Sequence, residues 1–162
     1  MCGIVGYVGK NKNSLNVLID GLERLEYRGY DSAGIALKNK KQIQIIKSIG
    51  KISNLEEKIK KETLIDCNLG IAHTRWATHG QPNEINAHPH KVGKITLVHN
   101  GIIENASELK EELKKEGISF QSDTDTEVIA ALINKYYKKD IEEAIETATK
   151  ELKGSYALAI LC

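Results

Sequence analysis

The chain has 162 residues, 41% apolar and 28% charged, enough for one folded domain with a buried core and unlike a disordered or fibrous chain. Its 23 basic and 22 acidic residues leave a formal charge of +1, so no global field draws it to nucleic acid or an anionic membrane. Cys2, Cys67 and Cys162 fit neither a disulfide framework nor a paired-cysteine metal site, and the glycine-broken apolar run 4–8 is too short for a signal peptide or a membrane span; together they predict a cytoplasmic protein.

In chain order, Ile4, Val5, Tyr7 and Val8 predict a first strand, with a turn over 9–13. Leu15, Leu18, Leu22 and Leu25 recur at helical spacing; Asn13 or Ser14 can cap that helix, and Gly29 lies just past its end. Residues 34–37 and 43–49 predict a hairpin through the polar turn 38–41. Ile52, Leu55 and Ile59 return to helical period, and 69–73 and 95–99 read as short buried strands that run into polar or glycine-rich loops. Three helices are predicted around Leu109 and Leu113, Val128 to Tyr136, and Ile141 to Leu152, the second opened by a capping box at Thr124-Asp125-Thr126-Glu127. A strand over 156–161 closes the chain. An apolar strand with nothing after it leaves an open edge or face, which predicts an incomplete domain. A single α+β domain is the simplest architecture.

Cys2 draws attention by position. With Met1 removed, its thiol sits beside a free α-amine; such amines titrate near ~7.7–8.0 and free thiols near ~8.5, so one residue can supply both nucleophile and base. With Met1 retained the nitrogen is an amide and the base is lost. A cysteine at position 2 is otherwise a small hydrophobe near the terminus. Ala72-His73-Thr74-Arg75-Trp76-Ala77-Thr78-His79-Gly80 crowds functional side chains behind a strand, as binding loops do. Arg75 can grip a carboxylate with two hydrogen bonds, or serve as a surface ion pair. Trp76 can cover a pocket or fill a core. Four of the five histidines fall between positions 73 and 90, but without zinc-type spacing, so hydrogen bonding is the better account than a metal. Asn100-Gly101 offers an amide beside an unobstructed backbone N–H, the makings of an oxyanion hole, although Asn-Gly is also an ordinary turn. Asp125 is a helix cap or a partner for an ammonium group.

Read together, Cys2-Gly3-Ile4-Val5-Gly6, Glu26-Tyr27-Arg28-Gly29-Tyr30-Asp31-Ser32-Ala33-Gly34, His73 to Gly80, Asn86-Ala87-His88-Pro89-His90, Val98-His99-Asn100-Gly101-Ile102-Ile103-Glu104-Asn105 and Thr124-Asp125-Thr126-Glu127 resemble the glutaminase (class II glutamine amidotransferase) domain of the glutamine–fructose-6-phosphate aminotransferases. The resemblance implies an N-terminal nucleophile hydrolase fold, an αββα sandwich over residues 2–162, and an enzyme that needs no cofactor or metal. It implies that Cys2 attacks the side-chain amide of L-glutamine, Asn100 and Gly101 stabilise the oxyanion, Arg75 and Asp125 hold the α-carboxylate and α-ammonium, and Trp76, Thr78 and His79 lie on a loop that closes over substrate. Arg28, His73 and His88 support the site. In that family the domain continues past position 162 into a sugar-phosphate isomerase domain, and the full enzyme can be a homodimer; this chain alone would at most release ammonia from glutamine. Other class II amidotransferases, and an inactive fragment or glutamine-binding module, are the alternative readings.

Overall fold

The computed structural model describes residues 2–10, 13–76 and 81–162. The segments read as strands become β1 (Gly3–Val8), β2 (Ser32–Lys38), β3 (Ile43–Ile49) and β4 (Leu69–Arg75), then β6 (Ile95–Ile103) and β7 (Gly154–Leu161), while β5 (His90–Val92) is a short strand that the sequence pattern does not mark. The helical periods become α1 (Ser14–Leu25), α2 (Ile52–Lys60), α3 (Ala106–Lys115), α4 (Asp125–Tyr136) and α5 (Ile141–Thr149), with one 3-10 turn at Glu26–Arg28. All strand pairings are antiparallel, in a four-stranded sheet ordered β1-β4-β2-β3 and a three-stranded sheet ordered β5-β6-β7.

Each sheet buries one face under helices. Leu18 and Leu22 of α1 and Ile52 and Leu55 of α2 pack on Ile35 and Leu37 of β2, while Ile129, Leu132 and Ile133 of α4 pack on Ile95 and Leu97 of β6. The facing sides meet through a further apolar cluster, Ala36, Ile71, Val98 and Leu161, and the result is an αββα sandwich. Among the described residues no helix is long and apolar enough to cross a membrane.

Three local readings change. Ser14 does not cap α1; its buried hydroxyl donates to the Cys67 carbonyl at 3.1 Å and lies 3.0 Å from the Cys67 sulfur. Half of the capping box forms: Thr124 Oγ1 accepts from Glu127 N–H, but the Glu127 carboxylate turns to the backbone N–H groups of Gln121 and Ser122. Asn100-Gly101 is no turn. β6 runs through it for nine residues, because Asn100 and Gly101 pair with Ala157 and Tyr156 of β7.

Candidate active site

β1 begins beside the end of β4, with Gly3 opposite Thr74, so Cys2 and Arg75 come together where the two sheets open. The second half of β6 and the starts of α3 and α4 complete a cavity of about 320 Å³, lined by Cys2, Arg75, Trp76, Gly101 and Asp125 among others. That volume lies in the range of small-molecule sites. The Cys2 sulfur accepts from the Trp76 backbone N–H at 3.2 Å.

Behind the sulfur, Asn100 Nδ2 donates to the Cys2 carbonyl at 3.2 Å and Asn100 Oδ1 lies 2.8 Å from His73 Nε2. The first bond identifies the nitrogen end of the amide, so the oxygen end requires a proton on His73 Nε2. Burial pushes the His73 pKa down to about 4, which keeps the ring neutral, with one donor and one acceptor. The Asn100 amide is thereby held in one orientation with a second N–H to offer. At Gly101 φ is 128° and a Cβ would lie 2.1 Å from the Ser155 carbonyl oxygen, so only glycine fits there.

Opposite charges face the same cavity. Arg75 is buried, with Nη1 3.6 Å from Asp31 Oδ1 and donating to the Gln81 carbonyl at 3.4 Å. The first residue of α4 is Asp125; its Oδ2 accepts from Ile103 N–H at 3.0 Å and its Oδ1 lies 3.4 Å from His99 Nδ1. Burial alone would raise the Asp125 pKa, but the bonds from His99 and Ile103 outweigh it and hold the carboxyl below its ordinary range. A guanidinium and a carboxylate on one cavity suit an α-amino acid, which carries one charge of each sign on a single carbon.

The segment 86–90 is buried throughout and lies along the start of α4, with Asn86, His88 and His90 bonded to it. Asn86 bonds the Asp123 backbone, His88 Nε2 is 3.1 Å from Thr126 Oγ1, and His90 Nε2 is 3.1 Å from Thr124 Oγ1. His88 also stacks on His73 with ring centroids 4.1 Å apart. Burial pushes the pKa of His88 well down and that of His90 to about 3, so both rings are neutral and act as hydrogen-bonding spacers. Gly34 permits this packing: a Cβ there would lie 2.1 Å from the His88 carbonyl oxygen.

Of the predicted site residues, the fold thus brings Cys2, Arg75, Trp76, His88, Gly101 and Asp125 onto one cavity, with Asn100 and His73 directly behind. Arg28 sits half-buried on the 3-10 turn and is not among the cavity-lining residues. Thr78 and His79 lie outside the described residues. Asp31, Asn86, His99 and Thr126 were not singled out for roles. All four stand inside the motifs quoted above, but nothing in those short stretches tells which member turns toward the cavity; that depends on contacts such as His99 Nδ1 with Thr126 Oγ1 across 27 positions.

A family model described as a glutamine amidotransferase domain matches residues 71–162. The chain is 53% identical over its whole length to a glutamine–fructose-6-phosphate aminotransferase (isomerizing) of Clostridium tetani, and 56% identical over 99% of its length to one of Thermococcus kodakarensis, covering 27% of each. The chain spans about a quarter of the length of the curated relatives it matches. Among solved structures, a glutamine phosphoribosylpyrophosphate amidotransferase from B. subtilis superposes with a TM-score of 0.84 at 28% identity, covering 99% of this chain and 35% of that one. A structure described as the allosteric regulatory enzyme of purine biosynthesis superposes with a TM-score of 0.88 at the same identity and coverage.

Proposed function

The chain belongs to the glutamine amidotransferase family, and from that premise we propose that residues 2–162 form a domain that hydrolyses L-glutamine to glutamate and ammonia through the thiol of Cys2. Its αββα sandwich is the fold of its solved relatives, the N-terminal nucleophile hydrolase architecture.

In this reading Met1 is removed and the freed α-amine takes the thiol proton as the sulfur attacks the side-chain carbonyl carbon. The oxygen of the tetrahedral intermediate receives the uncommitted N–H of Asn100 and the backbone N–H of Gly101. Collapse breaks the C–N bond, the leaving nitrogen takes the proton back, and ammonia departs. Water, deprotonated by the same amine, then hydrolyses the thioester and restores the thiol. Arg75 and Asp125 hold the α-carboxylate and α-ammonium, Trp76, Thr78 and His79 cover the substrate, and Arg28, His73 and His88 support the site. With a sugar-phosphate isomerase domain the ammonia would serve glucosamine-6-phosphate synthesis from fructose 6-phosphate, in the cytoplasm.

The observation that carries this reading is the orientation of Asn100: its amide is bonded to the backbone of the nucleophile and to a neutral His73, beside a cavity that also displays Arg75 and Asp125. A glutaminase assay on protein whose N-terminus has been mapped by mass spectrometry tests it. Glutamate release from the processed form that vanishes in Cys2→Ala is expected; equal release from protein that retains Met1 would overturn the mechanism.

A further inference from the structure

Asn86 takes no part in the reaction just described, yet its side chain is 1% exposed and bound at both ends. Nδ2 donates to the Gln81 carbonyl at 3.0 Å and lies 3.4 Å from Asp123 Oδ2, while Oδ1 accepts from the Asp123 N–H at 3.0 Å. The Gln81 oxygen is the one that also accepts from Arg75 Nη1. The Asp123 N–H stands two residues before Asp125, on the strap that leads into α4. One amide therefore joins the backbone that steadies the guanidinium to the backbone that presents the carboxylate.

We propose that Asn86 is a positioning residue that sets the distance between Arg75 and Asp125, and so selects ligands that carry a carboxylate and an ammonium on one carbon. The inference rests on the glutamine reading of the cavity. A ligand with only one of the two charges can shift to suit a displaced partner, whereas a ligand with both needs the two grips at a set spacing. Asparagine suits the position because it offers donor and acceptor together at this length. Aspartate would turn oxygen toward the Gln81 carbonyl and the Asp123 carboxylate, and alanine would leave the Asp123 N–H and the Gln81 oxygen without their bridge.

Binding is measured by calorimetry in the Cys2→Ala background, where nothing turns over, using L-glutamine and 5-amino-5-oxopentanoate, which is glutamine with hydrogen in place of the α-ammonium. Adding Asn86→Ala is expected to weaken L-glutamine about tenfold or more and the analogue by less than about threefold. If Asn86→Ala fails to fold, Asn86→Asp, of the same size, makes the same comparison with the same outcomes expected. Equal losses for the two ligands, or none for either, would overturn the proposal while leaving the glutamine reading in place. No binding of L-glutamine to the Cys2→Ala parent would remove both.

Discussion

Acid should destabilise this domain in a window set by its buried histidines. His73, His88 and His90 are all nearly inaccessible to solvent, and burial holds their pKa values below the ordinary value of 6.5, at about 4 for His73 and about 3 for His90. The unfolded chain takes up three protons that the folded chain refuses, so stability is intact above pH about 6.5 and is lost as pH falls below it. Between about pH 7 and about pH 5.5 each histidine costs about 1.2 kcal/mol, about 4 kcal/mol in all, against a total stability of roughly 5–15 kcal/mol for a domain. Asp125 does not mask the effect, because its carboxyl is held below its ordinary range and titrates under this window. Urea unfolding followed by far-UV circular dichroism at constant ionic strength measures the slope, which corresponds to about three protons bound on unfolding at about pH 5.5. His90→Gln should reduce that uptake by one proton. A loss under about 1 kcal/mol over the window, or a slope untouched in His90→Gln, would refute burial of these rings in neutral form.

Asn100→Ala should lower kcat by about a hundredfold to a thousandfold with little change in KM, since the oxyanion exists only in the transition state; steady-state kinetics with an effect confined to KM would exclude the oxyanion role. Gly101→Ala should cost at least about 2 kcal/mol in chemical denaturation, because φ is 128° there and the new Cβ would meet the Ser155 carbonyl at 2.1 Å; a stability loss below about 0.5 kcal/mol would mean that the β6–β7 pairing is looser than described.

Much of the scaffold was legible because its signals are local. Leu18 and Leu22 are buried as the period of α1 requires, the 34–49 hairpin closes through Asn39, whose side chain accepts from the Lys41 and Gln42 N–H groups, and the α4 start lies where Thr124 marks it. The nucleophile and its companions were legible for another reason: chemistry demands particular residue types, and those types cluster in a few short motifs.

What the local pattern could not carry was decided by partners distant in the chain. Asn100-Gly101 on its own favours a turn, and only pairing with Ala157 and Tyr156 keeps it extended in mid-strand. Ser14 had a free choice of capping until folding brought Cys67 beside it. The histidines and Asn86 were visible as a motif, but their neutral charge and their alternate grip on 123–126 follow from burial between sheet and helix, a condition that no short stretch contains. Composition and periodicity thus determined most of the elements and which residue types are available for chemistry; long-range packing added β5, which forms by pairing with β6, and decided the orientation and protonation of the site residues, because these depend on neighbours that no short stretch contains.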